Sequence, residues 1–433
     1  MKLRLDLRHK LNLRHFYILL VLILPIINNY RFLPIAFIYV FGVFGIAIFC
    51  FSYKIKIILQ SLPYFAYVFL LSLIIMVTQP DTEMSLIIMR LLYFVIVFIH
   101  FYVFAYQVWD FGYALRIYST ICMFVSILII IQFALSFFGH PISLIPPGLT
   151  ANTGERLSTD LIRASQISEN RFSTFFLEPA HQSQYTVPCV AILLLKDIDS
   201  RNRKNLISSI IMTVAVFATT SMQGILTCGI IWSIYLFELM KMRNVRKFGR
   251  LLFLIPIIVV VGIYFLQQPI IQYQIQKKIS SFNNGNISLG TSMYRRIIYG
   301  WDCYSEFDII HKLFGCGYDN VENYLSQTGI GLRFVTIEQI SYMSGLSKMF
   351  CEIGLVGVLL NFSTTIFLIV RKINKNIIVL GIFVSWIVIM LTSASFDRLE
   401  SLIPLTFMMN ITQIKKNEEV IVFNTCPQLI GII

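Results

Sequence analysis

Apolar runs of about twenty residues follow one another along this chain, and short polar connections separate most of them. A helix that crosses a bilayer needs about 20 consecutive apolar residues, so each run predicts a membrane-spanning helix. The predicted fold class is an all-α polytopic membrane protein with about twelve transmembrane helices. The predicted spans are 14–28, 33–52, 57–78, 85–106, 114–136, 177–195, 205–219, 221–240, 251–267, 345–370, 376–394 and 399–413.

The composition supports this interpretation, because 57% of the 433 residues are hydrophobic and only 13% are charged. A soluble fold of this composition would expose too much apolar surface to water. The net charge of +13 could suggest nucleic acid, but Lys and Arg gather on one side of the predicted spans. That bias marks the cytoplasmic side, so we expect both termini there and no nucleic-acid partner.

Two long segments, 137–176 and 268–344, then form large external loops of a single membrane domain that extends over residues 1–433. Loops of more than about a dozen residues are usually functional. The second loop is rich in aromatic residues and has an amphipathic stretch at Tyr294–Phe307. We expect it to fold back onto the membrane face or to cap a cavity. Cys303 and Cys316 share this loop and could form a disulfide in an oxidising compartment.

Several common catalytic motifs are missing from the sequence. It has no Walker loop, no dinucleotide-binding fingerprint, no HExxH helix and no Cys/His cluster with metal-ligand spacing. Any chemistry that this chain performs is therefore expected to need no cofactor, neither ATP nor a protein-bound metal ion.

The most informative polar cluster lies at Arg171–Tyr185, where the first external loop enters a predicted span. Pro179 suits the first turn of a helix, and Glu178 would lie at the positive end of that helix's dipole. Glu178 and His181 are three residues apart and share a helix face, and Gln184 and Tyr185 continue the same polar stripe, which we expect to face protein and not lipid. One interpretation is a capping carboxylate with a hydrogen-bonded histidine. The other is a site where a carboxylate and an imidazole handle a proton while Arg171 holds an anion.

Other ionisable residues fall within predicted spans, where charged groups are costly. Arg90 can extend its guanidinium to the external headgroup region, or it can contact the phosphate of a lipid-linked substrate. His100 is expected to form hydrogen bonds between helices. Lys348 and Glu352, four residues apart, predict an ion pair within one helix.

The second external loop carries Arg295 and Arg296. Adjacent arginines suit the bidentate binding of phosphate oxygens, although interfacial basic pairs also bind ordinary lipid headgroups. Gly315 and Gly317 permit a tight turn or a close backbone approach. Gly354, with Gly357 after it, predicts close helix packing through small residues.

In this order, the motifs resemble those of the Wzy-type O-antigen and capsular polysaccharide polymerases, part of a wider polymerase and ligase superfamily. The resemblance covers roughly residues 165–365 and the hydropathy profile. The motifs that carry it are Arg171-x-Ser-x-Phe-x-x-Glu178-Pro179-x-His181, Thr219-Thr-Ser-Met-Gln-Gly224, Arg295/Arg296 followed by Gly315-x-Gly317, and Glu352-x-Gly354-x-x-Gly357.

The resemblance implies a glycosyltransferase of the bacterial cytoplasmic membrane. Such enzymes transfer the growing glycan from undecaprenyl pyrophosphate to an incoming lipid-linked oligosaccharide repeat unit at the external face, without a metal or nucleotide sugar. Membrane lipid and a chain-length regulator protein are the further candidate partners. The implied site residues are Arg171 with one or both of Arg295 and Arg296, helped by Arg90, for the pyrophosphate, and Glu178 or His181 as the base.

Three alternatives stay open. O-antigen ligases carry a histidine shortly before the last external-facing helix, whereas Ser341–Ser347 has none and His311 lies earlier, which disfavours a ligase. A flippase for lipid-linked oligosaccharide fits twelve spans equally well, but no internal repeat relates the two halves, as transporters commonly show. A structural scaffold would not need Arg90 and Glu178 inside or at the ends of spans.

Overall fold

The structure, a computed structural model, is a bundle of mostly apolar helices joined by a few short strands and loops. It describes residues 13–31, 37–52, 61–78, 84–104, 108–151, 158–199, 203–241, 294, 298–335, 343–373, 376–392 and 399–411.

Helices form nearly all of the regular structure in these residues. In the first half they are α1 (Leu13–Ile27), α2 (Phe37–Ser52), α3 (Leu62–Thr78), α4 (Met84–Phe98, continued by a π-helix Ile99–Phe104), α5 (Phe111–Phe137), α6 (Thr159–Glu169), α7 (Pro179–Asp199) and α8 (Lys204–Ala218). In the second half they are α9 (Met222–Lys241), α10 (Gly300–Glu306), α11 (Ile309–Phe314), α12 (Val321–Gln327), a 3₁₀ turn (Gly331–Arg333), α13 (Gly345–Ile373), α14 (Ile377–Thr392) and α15 (Leu399–Asn410).

Within the described residues, each predicted span contains an apolar helix, whereas 251–267 lies outside the described residues. Among the residues that the structure describes, three helical segments are long and apolar enough to cross a membrane: Phe111–Phe137, Met222–Lys241 and Gly345–Ile366. Several other apolar helices contain only 10–17 residues. The structure is therefore that of an all-α protein compatible with a membrane, while the count of twelve spans stays a prediction.

Local sequence explains where the helices begin and end. Asp110 caps α5 by accepting a hydrogen bond from the Tyr113 N–H at 3.0 Å, and Ser158 caps α6 in the same way. Asn170 ends α6 in the left-handed conformation at φ 50°, which Asn tolerates better than most residues. Pro179 is the first residue of α7, because its fixed φ and missing N–H suit that position.

A two-residue antiparallel ladder joins the connection after α1 to the first long loop. In it β1 (Tyr30–Arg31) pairs with β2 (Thr150–Ala151), with Tyr30 opposite Ala151. The Tyr30 hydroxyl also donates to the Phe175 carbonyl. This ladder and hydrogen bond place the α1–α2 connection on the same side as the first long loop, as the predicted alternation of spans requires.

Helix α7 lies at the centre of the bundle, where it packs against α5, α8, α9, α14 and α15. An aromatic cluster fills the space next to it: Tyr118 lies 5.2 Å from both Tyr185 and Phe407, measured between ring centroids. The Tyr118 hydroxyl donates to the Tyr185 carbonyl. These contacts bury the middle of α7, and the partly exposed Glu178 lies directly before its first turn.

The described part of the second long loop folds back onto α13. Its helices α10 and α11 pack on α13, and its buried core includes Tyr299, Cys303, Cys316 and Leu325. We call residues 298–335 the cap. The cap has its own apolar core and does not extend into solvent as a linker would.

Candidate functional site

The first turn of α7 carries the residues that the sequence predicts as catalytic. The Glu178 carbonyl accepts hydrogen bonds from the N–H groups of His181 at 3.1 Å and Gln182 at 3.4 Å. Glu178 is half-buried and His181 is 9% exposed. A carboxyl group and an imidazole therefore share one helix turn at the edge of the bundle.

Arg171 lies in the segment that leads from α6 into this turn. Its N–H donates to the Gln166 carbonyl at 3.0 Å, and its Nη1 lies 3.6 Å from a carboxylate oxygen of Glu169. The Nε atom is buried and has no hydrogen-bond partner among the described residues. Glu169 is a neighbour that the sequence analysis missed, and the i+2 spacing of opposite charges was the available signal.

Hydrogen bonds from two directions fix the backbone between Arg171 and Glu178. The Gln166 amide donates to the Ser173 hydroxyl at 2.6 Å, and the Thr174 N–H donates to the Gln132 side chain at 3.2 Å. Thr174 has a positive φ of 53°, a conformation that costs free energy in a residue other than Gly. The surrounding hydrogen bonds hold this segment in place despite that cost.

The polar stripe of α7 continues inward and meets the turn between α8 and α9. The Gln184 amide donates to Gln223 Oε1 at 3.0 Å, and the Ser183 and Thr219 hydroxyls are 3.4 Å apart. A β-carbon on Gly224 would lie 2.6 Å from the Ser183 side chain, so only Gly allows this approach. The expectation that the stripe faces protein and not lipid is confirmed, because His181 to Tyr185 are all buried.

Arg90 takes part in a second cluster of charges. Its Nε lies 3.3 Å from Asp319 Oδ2, and Lys348 Nζ lies 3.0 Å from Asp319 Oδ1. Arg90 and Lys348 are mostly buried, whereas Asp319 is half-exposed. One carboxylate of the cap thus bridges a cation of α4 and a cation of α13. Sequence reasoning missed Asp319 because nothing in its local sequence relates it to Arg90, 229 positions earlier.

The predicted ion pair between Lys348 and Glu352 is confirmed, with Nζ and Oε1 3.3 Å apart. Glu352 is only 1% exposed. Lys348 therefore contacts two carboxylates, one from its own helix and one from the cap. The cluster contains two cations, Arg90 and Lys348, and two carboxylates, Asp319 and Glu352, so its formal net charge is zero.

The glycines of this region behave in two ways. Gly315 and Gly317 have positive φ values of 84° and 106° and lie against α13 and α3, as expected for a close backbone approach. Gly357 packs against the Tyr67 ring, which agrees with small-residue helix packing. Gly354 also allows a close approach, to Leu313 of α11, but its φ of 62° and ψ of −178° break α13, and the sequence analysis did not predict this interruption.

Several of the remaining expectations can be compared with the structure. His100 forms hydrogen bonds between helices, to the Tyr17 hydroxyl at 2.8 Å and the Gly42 carbonyl at 2.9 Å, as predicted. Cys303 and Cys316 are both buried and free, so the structure contains no disulfide between them. Arg295 and Arg296 lie outside the described residues, and their assignment to pyrophosphate stays a prediction.

The ionisable groups of the cap respond to their surroundings. Burial raises the pKa of the Cys303 thiol to about 12. The pKa of Tyr294, a residue shortly before the cap, is raised by burial and by the nearby Asp302 carboxylate, which accepts a hydrogen bond from the Tyr294 hydroxyl at 2.5 Å. The pKa of Asp308 is lowered, chiefly because its carboxylate accepts a hydrogen bond from the His311 N–H.

The described residues hold no group of three or more His, Cys, Asp or Glu side chains that could bind a metal ion.

Comparison with known proteins adds no family assignment: no protein-family model, no curated protein and no solved structure matches this chain.

Proposed function

We propose that this chain is a membrane glycosyltransferase that polymerises polysaccharide. In this proposal it transfers the growing glycan from undecaprenyl pyrophosphate to the sugar of an incoming lipid-linked oligosaccharide repeat unit. The chain crosses the bacterial cytoplasmic membrane about twelve times with both termini inside, and the reaction takes place at the external face. The proposal rests on the motif resemblance and on the arrangement of residues around the first turn of α7.

One observation carries most of the weight. Arg171 lies in the segment that leads into the turn of Glu178 and His181. Its side chain is 36% exposed, and its Nη1 lies 3.6 Å from a Glu169 carboxylate oxygen, which is beyond ordinary hydrogen-bond distance. The exposed guanidinium nitrogens can therefore bind an anionic ligand oxygen, and a pyrophosphate is the anion that the proposed donor substrate brings.

The proposed reaction needs two functions from these residues. The bond between sugar C1 and the pyrophosphate oxygen breaks, and the pyrophosphate leaves with the bonding electrons. Arg171, with Arg295, Arg296 and Arg90 as candidates beside it, stabilises the charge that develops on this leaving group. A bond forms between C1 and the acceptor hydroxyl oxygen, and the hydroxyl proton goes to Glu178 or His181.

A pyrophosphate role of Arg90 requires a change in its present ion pair. Arg90 already shares Asp319 with Lys348, so a substrate phosphate would have to replace that carboxylate. Asp319 is half-exposed, which leaves room for it to move. The pyrophosphate role of Arg90 therefore depends on a displacement that Arg171 does not need.

The test is the length distribution of the glycan made by the native host. The chromosomal copy of the gene is deleted and replaced by the wild-type sequence or by Arg171→Ala, Glu178→Gln, His181→Asn or Arg295→Ala. We expect Arg171→Ala to leave only single repeat units on the acceptor lipid in a glycan gel. Long chains of unchanged length from both Arg171→Ala and Arg295→Ala would overturn the assignment.

Arg333→Ala is the matched control, because Arg333 is an exposed arginine of the cap that pairs with the exposed Glu306 at 2.9 Å. It should leave the glycan ladder unchanged at equal protein abundance in the membrane. The location of the unused repeat units distinguishes the alternatives. Units outside the membrane indicate a polymerase, units that stay inside indicate a flippase, and long chains free of the final acceptor indicate a ligase.

A further inference from the structure

The interruption of α13 at Gly354 exposes backbone carbonyl groups that the cap and α3 satisfy. The Cys351 carbonyl accepts from the Cys316 N–H at 2.9 Å, and the Glu352 carbonyl accepts from the Gly317 N–H at 2.8 Å. The Ile353 carbonyl accepts from the Tyr67 hydroxyl at 2.8 Å. The cap segment up to Gly317 therefore completes the hydrogen bonding of a broken helix.

This break lies deep within the helix. Gly354 is near the middle of Gly345–Ile366, the 22-residue part of α13 that is long and apolar enough to cross a membrane. At about 1.5 Å of rise per residue, Gly354 lies roughly 13 Å below the beginning of that part. In a bilayer with a hydrocarbon core of about 30 Å, this depth is well inside the acyl chains.

Contacts with α3 place the segment beside the same break. A β-carbon on Gly317 would be 2.3 Å from the Ile75 side chain, near the end of α3. The Phe314 carbonyl accepts from the Tyr67 hydroxyl at 2.8 Å, and the same hydroxyl lies 2.8 Å from the Ile353 carbonyl oxygen. Tyr67 precedes Ile75 by about two helical turns, or about 11 Å. Because α3 runs outward in the predicted topology, Phe314 lies at the deeper end of the segment.

The outer face of α11 is apolar and uncovered. Ile309 is 74% exposed, Ile310 is 64% exposed, and Leu313 and Phe314 are exposed as well. Exposed leucines of α13, Leu355 and Leu359, follow directly after the break, and exposed apolar residues of α3, Leu70 and Ile74, flank Tyr67. The apolar face of α11 is thus continuous with the exposed apolar faces of two helices.

We infer that residues 307–317 form a re-entrant segment that enters the bilayer from the external side. Its apolar face of Ile309, Ile310, Leu313 and Phe314 lies against lipid acyl chains. Irregular backbone at membrane depth is tolerated where protein groups satisfy its hydrogen bonds, and Cys316, Gly317 and Tyr67 do so here. This inference rests on the proposed membrane topology but not on the proposed glycosyl transfer.

The polar residues of α11 fit an entry from the external interface. The Asp308 carboxylate accepts a hydrogen bond from the His311 N–H and lies 2.8 Å from the His311 ring nitrogen Nδ1. Both polar side chains of the first turn of α11 are therefore hydrogen-bonded to groups of that turn. The Lys312 carbonyl accepts from the Tyr304 hydroxyl at 2.8 Å. Trp301, whose ring lies 5.1 Å from that of Phe350, is partly exposed, and a tryptophan at this level is typical of the membrane interface.

The test measures lipid contact directly on the full-length chain. Cysteine is introduced as Ile310→Cys or Phe314→Cys, labelled with an environment-sensitive fluorophore, and the protein is reconstituted into nanodiscs of phosphatidylethanolamine and phosphatidylglycerol. We expect brominated acyl chains to quench both labels strongly and aqueous iodide to leave them nearly unchanged. The signal of the unmodified chain, treated identically, gives the background from its native cysteines.

Glu322→Cys, on the exposed side of α12, is the matched control and should show the opposite pattern. Quenching of the Ile310 label by iodide to the same extent as the Glu322 label would overturn the inference. So would protection of that label from both quenchers, since a protein surface, such as a second copy, would then cover α11. A gel-filtration profile equal to that of the unmodified chain shows that each variant is folded. Failure of this test leaves the glycan-ladder result unaffected, and the reverse also holds.

Discussion

Gly354 and Gly315 are in direct backbone contact across the boundary between α13 and the cap. A β-carbon on Gly354 would lie 2.5 Å from the Gly315 amide nitrogen, and one on Gly315 would lie 2.2 Å from the Glu352 carbonyl oxygen. Both residues have positive φ. Neither position can carry a side chain without separating the two backbones, so this contact fixes how the cap sits on α13.

The first prediction concerns Gly354→Ala. The added methyl group meets Leu313 O at 2.4 Å, and the positive φ adds backbone strain, which typically costs about 1–3 kcal/mol. We expect a loss of stability of at least that size in SDS titration of the protein in mixed micelles. Gly229→Ala is the control, because a β-carbon on Gly229 in α9 meets nothing within 4 Å. Equal stability of the two variants would contradict the close contact.

The second prediction concerns Asp319, the carboxylate that Arg90 and Lys348 share. Asp319→Ala leaves two mostly buried cations without this partner, which should cost about 1–3 kcal/mol of unfolding free energy. Glu306→Ala removes a comparable cap carboxylate whose partner Arg333 is exposed and should cost less than about 1 kcal/mol. In a double-mutant cycle, Arg90→Met and Asp319→Asn should couple by about 0.5–3 kcal/mol. Additive effects would show that the ion pair contributes nothing.

The third prediction concerns Tyr67→Phe, which removes one hydroxyl and nothing else. That hydroxyl lies 2.8 Å from both the Phe314 and the Ile353 carbonyl oxygen. Its loss should destabilise the protein by about 1–2 kcal/mol, since the helix break then lacks a donor. Tyr39→Phe is the control, because the Tyr39 hydroxyl makes a longer bond of 3.2 Å to the Met89 carbonyl. The prediction fails if both variants melt at the temperature of the wild type.

The fourth prediction concerns pH. The pKa of Asp308 is lowered from its ordinary value of 3.8, mainly by the His311 N–H. A lowered pKa means that the carboxylate stabilises the folded state above the unfolded pKa and that this stabilisation is lost as the pH falls through the folded pKa. Asp308→Asn keeps a capping oxygen and removes only the charge, so near neutral pH it should be less stable than wild type by about 0.3–1 kcal/mol. The difference should shrink below pH 4 when melting is followed by intrinsic fluorescence.

The sequence predicted the bundle helices well because they are apolar runs with recognisable boundaries, whereas α6, α11 and α12, short helices within the two long loops, were not predicted. Pro179 at the beginning of α7 and the ion pair of Lys348 with Glu352 are local features, and local spacing is sufficient to predict them. The burial of the polar stripe of α7 could also be predicted from local sequence, because polar side chains in an apolar bundle turn away from lipid.

Long-range contacts explain what the sequence did not predict. Asp319 meets Arg90 only because the cap folds back onto α13, and no periodicity encodes that fold. Gly354 was expected to pack a helix because small residues at spacing three or four usually do so. Its role as a break depends on donors from Cys316 and Gly317, residues of another segment, and a short local pattern contains no information about them.

The burial of Cys303 has a practical consequence. A thiol with a pKa near 12 forms almost no thiolate at neutral pH, and thiolate is the species that reacts with alkylating or oxidising agents. Cys303 thus stays inert for as long as the apolar core of the cap is closed. The rate at which the Cys303 thiol is alkylated therefore depends on how often the cap opens, so this rate measures the frequency of that motion.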